Sequence, residues 1–402
     1  MTMTRTPAVL GGAPLRDTEL PVARPTMHRE PALLDDIDEM IASGMLTNGR
    51  HVARFERDVA DFVGVGHTVA VSSCTTGLLL LLTVLGRRGD AVLPSFTFMA
   101  TGHAARWAGL TPVWADSDPT TCTVDPASAS ALVGQDTAVL VGVHTFGSPC
   151  DTAALAATAT ATGVPFIVDS AHAFGARYPD GTAVGSHALA EVFSLTPTKP
   201  LSTGEGGLVT TDDTDLAAEL RVAREYGNFG GYDSRYPGLN GRMPEFAGLL
   251  GRYQLPRLPE VLARRRELAA RYRERLSAVS GLSVQRIAGE PTFKDLVVLV
   301  DANGFGLHRD ELASVLRAER ITTRSYFDPP LHAQRAYRDI PPVQALDGTA
   351  ILAASALTLP LFSHMSESDV DQVCEAIESA AAYAGPLAAR LRDAGPQKEI
   401  SA

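Results

Sequence analysis

The sequence predicts an α/β fold, in which a mainly parallel sheet of seven strands lies between helices and a smaller C-terminal α+β domain follows. Short apolar segments alternate with helical patterns from about residue 50 to residue 225, which is typical of βαβ units. The continuous apolar character of residues 138–143 and 166–168 indicates strands buried on both faces. A chain of 402 residues is too long for one ordinary core, so we expect two domains.

The predicted elements of the first part of the chain follow in a regular order. Strands are predicted at residues 68–71, 91–94, 112–115, 138–143, 164–168, 191–195 and 207–211. Helical patterns lie at residues 76–85, from Phe98 onward, at residues 125–132 and after Asp151, which is a favourable N-cap. Because ligands gather at the carboxyl ends of parallel strands, the polar residues His144, Asp169 and Ser194 at such ends are candidates for a site.

The pattern changes after Leu255. A long Arg-rich helix is predicted at about residues 260–278, and a strand at 296–300, a helix at 309–319, short strands near Ile321 and Leu357 and a closing helix at 367–382 follow it. We therefore predict a large domain at residues 1–255 and a small α+β domain at residues 256–402.

The composition limits the possible functions. A hydrophobic content of 45% and a charged content of 20% are typical of a globular protein, and the net charge of −11 argues against nucleic-acid binding. The four cysteines have no zinc or redox spacing, which favours reduced thiols in a cytoplasm. No apolar run is long enough for a membrane span, and the ten histidines show no metal-binding spacing.

One lysine lies in an unusual context. Lys199 stands between Pro197 and Pro200, five residues after Ser194, in a chain with very few lysines. Thirty residues earlier, a strand of buried type ends on Asp169. An acid, a hydroxyl and an isolated amine are the three groups needed to hold pyridoxal phosphate (PLP): the acid faces the ring nitrogen, the hydroxyl meets the phosphate and the amine forms a Schiff base. A surface lysine and a loop acid are the ordinary alternatives.

Three further features could belong to the same site. His172 can stack on the ring or bond its phenolic oxygen, although a core histidine is the alternative. The segment from Ser72 to Gly77 follows a strand and opens a helix, whose N-terminal N–H groups can bind a phosphate. Phe98 can stack on the cofactor, with a core aromatic as the alternative. Two other kinds of phosphate-binding motif do not match the sequence. No GxGxxG motif of a dinucleotide-binding fold follows the first strand, and the glycines at 204–207 do not form a P-loop.

These residues resemble the DegT/DnrJ/EryC1/StrS family of PLP-dependent sugar aminotransferases, with the fold-type I (aspartate aminotransferase) architecture, over roughly residues 25–385. The blocks that carry the resemblance occur in the family's order: Thr47-Asn48-Gly49, Val71-Ser72-Ser73-Cys74-Thr75, Pro94-Ser95-Phe96-Thr97-Phe98, His144-Thr145-Phe146-Gly147, Asp169-Ser170-Ala171-His172-Ala173, residues 194–207, Leu239-Asn240-Gly241-Arg242, Pro330-Leu331-His332 and Leu359-Pro360-Leu361. Cys74 departs from the family, which usually has glycine there.

The resemblance implies a role for each of these positions. Lys199 would bond the cofactor and shuttle the proton, Asp169 would pair with the ring nitrogen, and His172 would contact the ring or its oxygen. Cys74, Thr75 and Ser194 would hold the phosphate, and Phe98 would stack on the ring. Asn240 would contribute from a partner chain, so a homodimer with shared active sites is expected.

The resemblance also implies an activity. We expect transfer of an amino group from glutamate or glutamine to a keto sugar carried on a nucleoside diphosphate. Some relatives replace the lysine with histidine and perform dehydration, so the retained Lys199 favours transamination over a PLP-dependent sugar dehydratase. A non-catalytic PLP-binding regulator is a third alternative. The Ala- and Arg-rich composition suggests a high-GC bacterium, where such enzymes often serve antibiotic biosynthesis, although cell-surface sugars are equally compatible.

Overall fold

The computed structural model describes residues 5–393 and contains one central seven-stranded sheet. The strands of this sheet are β1 (His67–Val71), β2 (Asp90–Pro94), β3 (Thr111–Ala115), β4 (Thr137–Val143), β5 (Phe166–Asp169), β6 (Ala190–Ser194) and β7 (Gly207–Thr211). Their order across the sheet is β1-β7-β6-β5-β4-β2-β3. Only β7 runs against its neighbours β1 and β6, and the remaining pairs are parallel. The predicted α/β fold with a mainly parallel seven-stranded sheet is confirmed.

Helices cover both faces of this sheet and continue into the C-terminal part. Within residues 5–393 the α-helices are α1 (Ala32–Ser43), α2 (Arg50–Val63), α3 (Cys74–Leu85), α4 (Met99–Trp107), α5 (Pro126–Leu132), α6 (Thr152–Thr162), α7 (Thr214–Ala223), α8 (Glu245–Gln254), α9 (Leu258–Leu276), α10 (Ala302–Phe305), α11 (Arg309–Ala318), α12 (Asp347–Ser355), α13 (Glu367–Ala382) and α14 (Ala384–Asp393). Strand β6 shows the layering: Val192 packs in the core with α3 and α7, whereas Phe193 packs in the core with α2 and α8.

A second, antiparallel sheet lies in the C-terminal part. It consists of β8 (Leu282–Val284), β9 (Leu296–Val300) and β10 (Ala356–Leu359), in the order β10-β9-β8. Apolar side chains of α9, α11 and α13 bury this sheet in one hydrophobic core, to which Leu20 from the N-terminal part also belongs. A domain boundary near residue 255 stays a prediction, and residues 1–4 and 394–402 of the two proposed domains lie outside the described residues.

One predicted element is wrong. Ile321 does not belong to a strand but forms an isolated bridge with Leu20. The backbone of Arg320 has a φ of +62°, which turns the chain sharply after α11 and leaves Ile321 buried at a corner. The apolar side chain therefore reflects burial in the core rather than a strand.

Among the helices of the described residues, none combines the length and the apolar composition needed to cross a bilayer.

The register of the sheet requires a glycine at the first position of β7. Gly207 pairs with Val71 on one side and with Ser194 on the other, so it lies between the carboxyl ends of β1 and β6. A Cβ atom at this position would lie 2.5 Å from the backbone nitrogen of Cys74 and 2.5 Å from the carbonyl carbon of Ser73. The first turn of α3 can approach β7 this closely only because Gly207 has no side chain.

We predict that Gly207→Ala lowers the free energy of unfolding by about 1–3 kcal/mol, because backbone atoms of α3 must move away from the added methyl group. Chemical denaturation measures this change. Gly134→Ala is the matched control, since its added methyl group meets nothing within 4 Å and no such loss is expected. Equal stability of the Gly207→Ala variant and the unmodified protein would contradict the close approach of β7 and α3.

Candidate active site

The polar residues predicted at strand ends come together at one edge of the central sheet. Asp169 is the last residue of β5, and Ser194 is the last residue of β6, which pairs with β5. Cys74 is the first residue of α3, which follows β1 in the chain, and β1 pairs with β7 in the sheet. Its sulfur lies 3.8 Å from Oδ1 of Asp169, which joins the start of α3 to the acid at the end of β5.

Asp169 is a buried carboxylate with defined hydrogen-bond partners. The hydroxyl of Thr101 donates to Oδ2 at 2.7 Å, and the N–H of Ala171 donates to Oδ1 at 3.1 Å. Burial raises the pKa of the Asp169 carboxyl, while these two hydrogen bonds and the charge of Lys199 oppose the rise. The carboxylate is therefore oriented by its neighbours yet poorly solvated, a state that a cationic ligand group would relieve.

Three of the predicted residues line one small cavity. Phe98, Asp169 and His172 all border it, together with Thr97, Val143, His144, Thr145, Ala171 and Phe327. Phe98 is 47% exposed, so its ring is available for contact with a ligand. The pKa of His172 lies well below its usual range, first because of burial and then because of the charges on Lys199 and Lys294. His172 is therefore neutral at pH 7.

Lys199 lies in the loop between β6 and β7. This loop is closed by hydrogen bonds from the N–H of Lys199 to the carbonyl of Thr196 at 3.0 Å and from the N–H of Thr203 to the carbonyl of Leu195 at 3.0 Å. Burial lowers the pKa of the Lys199 amine to about 7, with a further contribution from the positive charge of Lys294. The charges of Asp295, Cys74 and Asp169 act in the opposite direction. About half of these amines are thus unprotonated, and able to act as nucleophiles, near neutral pH.

The start of α3 offers backbone donors for an anion. Ser73 is the N-cap, and its Oγ accepts the N–H of Thr76 at 3.1 Å. The first helical hydrogen bond runs from the N–H of Gly77 to the carbonyl of Ser73, so the N–H groups of Cys74 and Thr75 precede it at the positive end of the helix. The hydroxyl of Ser194 makes two long contacts with Thr196, donating to its hydroxyl at 3.4 Å and accepting its N–H at 3.5 Å, and it can turn toward a ligand.

Asn240 lies outside this group of buried residues. It is exposed and forms an antiparallel bridge with Glu225. The next residue, Gly241, accepts the N–H of Ser72 at 2.8 Å, which places Asn240 near the start of α3 in its own chain. Contact between Asn240 and the cofactor of a partner chain stays a prediction.

The arrangement fits the chemical requirements of PLP. A phosphate would meet the N–H groups that precede the first turn of α3, a protonated ring nitrogen would meet the buried Asp169, and an aldehyde would meet the weakly basic amine of Lys199. Because Gly207 has no side chain, the first turn of α3 packs directly against the end of β7 at this edge of the sheet. The individual roles of the eight predicted residues stay predictions, although the structure places seven of them around one site.

Two residues of the site were not predicted from the sequence. Thr101 lies in α4, four residues after Thr97, and the two hydroxyls are 3.0 Å apart, so this pair of threonines after β2 could have indicated a polar site at the start of the helix. Lys294 lies close enough to affect both Lys199 and His172. The chain has only three lysines, so the scarcity that singled out Lys199 could also have singled out Lys294.

The fold and these groups define the class of PLP-dependent enzymes, and comparison with known proteins identifies the family. A family model described as the DegT/DnrJ/EryC1/StrS aminotransferase family matches residues 28–378. The chain therefore belongs to this family of PLP-dependent sugar aminotransferases. The resemblance inferred from the sequence motifs is confirmed.

Individual relatives agree with this assignment. The chain is 34% identical over 380 residues to the spore coat polysaccharide biosynthesis protein SpsC of Bacillus subtilis (strain 168), covering 90% of this chain and 97% of SpsC. It is similar to the crystal structure of DesI, determined in the presence of its TDP-sugar product, with a TM-score of 0.91, 39% identity and coverage of 96% and 99% of the two chains. The structure of DesV from S. venezuelae gives a TM-score of 0.80 and 30% identity over 92% of this chain and 99% of DesV.

We predict that Thr101→Val weakens PLP binding by roughly tenfold or more, because a buried carboxylate loses a hydrogen bond worth on the order of 1.5–3 kcal/mol. Absorbance titration of the cofactor-free protein with PLP measures this change. Thr349→Val is the matched control: Thr349 is also fully buried, but its hydroxyl has no partner among the described residues. Unchanged PLP affinity in Thr101→Val would show that Asp169 does not depend on this hydrogen bond.

We also predict that Lys199→Met stabilises the cofactor-free protein at neutral and low pH. The folded-state pKa lies below the ordinary value of 10.5, so the charged amine opposes folding fully below about pH 7, and this penalty fades as the pH rises toward 10.5. The difference in free energy of unfolding between the variant and the unmodified protein should thus be largest below pH 7 and shrink at alkaline pH. Denaturation at several pH values measures it, and a difference independent of pH would contradict the burial of this charge.

Proposed function

We propose that this protein transfers an amino group from glutamate or glutamine to a keto sugar carried on a nucleoside diphosphate, with PLP as its cofactor. The proposal depends on one observation: burial lowers the pKa of the Lys199 amine to about 7 in a site that also contains the buried carboxylate of Asp169. The chain belongs to a family of sugar aminotransferases. A lysine with its ordinary pKa would be almost entirely protonated at neutral pH and unable to accept a proton.

When bound, PLP supplies an aldehyde that condenses with amines and a ring that withdraws electrons from the carbon next to the nitrogen. The Nζ of Lys199 then accepts the proton from that carbon and returns it to the other side of the transferred nitrogen. The negative charge of Asp169 would hold a proton on the ring nitrogen, and the hydrogen bonds from Thr101 and Ala171 keep the carboxylate in one orientation. The neutral His172 and the exposed ring of Phe98, which line the cavity, would contact the cofactor ring and orient it.

The phosphate end of the cofactor would be bound by backbone and hydroxyl donors. The N–H groups of Cys74 and Thr75 carry the positive end of the α3 dipole, and Ser194 adds a hydroxyl. The thiol of Cys74 stays protonated, because burial and the neighbouring Asp169 raise its pKa well above the usual range. The substitution of cysteine for glycine thus leaves the backbone donors of α3 in place and adds no negative charge near the phosphate.

The substrate class is supported by the relatives. DesI was determined with a TDP-sugar product, and SpsC is named for the biosynthesis of a polysaccharide. On that basis we propose a nucleotide keto sugar as the substrate of this protein. A net charge of −11 does not oppose such an anionic substrate, since the N-terminal N–H groups of α3 give the site a local positive potential. The product could serve either antibiotic biosynthesis or a cell-surface polysaccharide.

We also propose that the protein forms a homodimer with shared active sites. Large apolar side chains are exposed close to the site and along α1, among them Leu34, Ile41, Phe98 and Met99. Such side chains are typical of an interface between subunits. Asn240 would then reach the phosphate of the partner's cofactor. The four cysteines are buried and unpaired, which supports a reducing location such as the cytoplasm.

We predict that Lys199→Ala lowers the rate of amino transfer by about a thousandfold or more, because the variant has no group to move the proton. Incubation with PLP and glutamate, followed by measurement of 2-oxoglutarate, gives the first half of the reaction without any knowledge of the sugar. Borohydride reduction and peptide mapping should place the trapped cofactor on Lys199. A trapped cofactor on another residue would overturn the proposal.

The sugar half of the reaction separates transamination from the alternative of dehydration. The amino form of the cofactor, produced with glutamate, is mixed with a panel of nucleoside diphosphate keto sugars, and the products are analysed by mass spectrometry. Replacement of the carbonyl oxygen by an amino group is the expected result. Loss of water from the sugar without amino transfer would instead identify a PLP-dependent sugar dehydratase.

A further inference from the structure

One threonine at the proposed cofactor cavity has a hydroxyl without a partner. Thr145 lines this cavity together with Asp169 and His172, and it is only 1% exposed. Its Oγ1 is buried and has no hydrogen-bond partner within residues 5–393. A hydroxyl that loses its water without gaining a partner costs free energy, so its presence in a folded protein needs a physical explanation.

Two other polar side chains of the cavity wall differ from Thr145 in this respect. The hydroxyl of Thr97 lies 3.0 Å from that of Thr101. Both ring nitrogens of His144 are occupied, since Nδ1 accepts a backbone N–H at 3.0 Å and Nε2 lies 3.0 Å from the hydroxyl of Tyr178. Thr145 therefore keeps a hydrogen-bonding group free for a ligand.

The turn that carries Thr145 has an unfavourable backbone conformation and is nevertheless firmly packed. Thr145 begins a short 3₁₀ turn after β4, and the next residue, Phe146, has a φ of +60° and a ψ of +10°. A bulky side chain rarely adopts this left-handed conformation. The ring of Phe146 is buried against Phe96 and Phe327, at centroid distances of 6.1 and 5.7 Å. Backbone strain of this kind persists where the surrounding structure enforces it, and it is concentrated at functional sites.

Hydrogen bonds join this turn to the two residues expected to contact the cofactor ring. The N–H of His144 donates to the carbonyl of Asp169 at 3.1 Å. Thr292 donates its N–H to the carbonyl of Gly147 at 3.1 Å and its hydroxyl to the carbonyl of His172 at 2.6 Å. A Cβ atom on Gly147, whose φ is +88°, would lie 2.0 Å from this hydroxyl. The turn is thus fixed relative to the backbone of the acid and of the histidine.

PLP has one acceptor that the proposed site does not yet pair with a donor of defined geometry. The ring nitrogen would face Asp169, the phosphate would meet the start of α3, and the aldehyde would meet Lys199. The phenolic oxygen of the ring is the remaining polar atom. It carries negative charge when it loses its proton, and a hydrogen bond donated to the charged form stabilises that form.

We propose that the hydroxyl of Thr145 donates a hydrogen bond to the phenolic oxygen of PLP, beside the contact expected from His172. The inference rests on the proposed function, since it requires PLP in this cavity. It also explains why the hydroxyl is unpaired without the cofactor: the partner belongs to the ligand. Thr145 would thereby add to the affinity for PLP and fix the orientation of its ring.

The test compares two ligands that differ in a single atom group. The cofactor-free, full-length protein is titrated in a calorimeter with PLP and with an analogue that carries hydrogen in place of the phenolic hydroxyl. Thr145→Val keeps the shape of the side chain and removes the donor. It should weaken the binding of PLP about tenfold and leave the affinity for the analogue unchanged, because only PLP has the acceptor.

Two further variants serve as controls. Thr145→Ser keeps the hydroxyl and should bind PLP nearly as well as the unmodified protein. Thr358→Val is the matched control, since Thr358 is also 1% exposed and its Oγ1 likewise has no partner among the described residues, but it lies in β10 and does not line the cavity. Its affinities for PLP and for the analogue should equal those of the unmodified protein.

The stability of the cofactor-free protein distinguishes this role from a structural one. Removal of a hydroxyl without a partner should leave the denaturation midpoint of Thr145→Val equal to or above that of the unmodified protein. A hydroxyl that only supports the fold would give a lower midpoint and an unchanged affinity for PLP. Thr145→Ala removes the same hydroxyl and takes the place of Thr145→Val if that variant does not fold.

The outcomes separate this inference from the proposed function. Unchanged PLP affinity in the folded Thr145→Val or Thr145→Ala protein would overturn the role of Thr145, and so would an equal loss of affinity for PLP and for the analogue. A loss confined to PLP would support the role. If the unmodified protein showed this pattern but transferred no amino group to any keto sugar, the proposed function alone would be wrong.

Discussion

The close approach of Gly207 to the first turn of α3 is the constraint on which the site depends. Strand β7 runs against its neighbours and is inserted between β1 and β6, so its first residue lies between the carboxyl ends of both. Since this residue has no side chain, the backbone donors of Cys74 and the hydroxyl of Ser194 reach the same edge of the sheet. The loop with Lys199 is then closed directly beside them by the hydrogen bond from Thr203 to Leu195.

The site holds ionisable side chains in a poorly solvated environment. Burial raises the pKa of the Asp169 carboxyl and lowers that of the Lys199 amine, so the charged form of each is disfavoured. The two groups partly compensate each other, and Lys294 adds a positive charge that works against this compensation. A cofactor with a protonated ring nitrogen and an amine-reactive carbon relieves both groups at once. Such a site is less stable when empty, which is a common feature of catalytic centres.

Much of the fold could be predicted from local patterns. Each of the seven strands is a short apolar run, and burial on both faces of a parallel sheet produces that pattern regardless of the partner strand. The candidates Asp169 and Ser194 were found because they end two such strands. Thr101 was missed, because its contact with Asp169 joins residues 68 positions apart. Ile321 was assigned to a strand because an apolar residue at a buried corner has the same local pattern.

The sequence by itself determined the order of the seven strands of the central sheet along the chain, the family and the polar residues at the strand ends, because periodicity and motifs are local properties of the chain. Only the tertiary structure decided which charges face one another. The backbone of Lys294 is held next to that of His172 by the hydroxyl of Thr292 and by the close approach of Gly147, although the three segments are far apart along the chain. Electrostatic effects on a buried amine depend on distance and solvation in space, and neither can be calculated from separation along the chain.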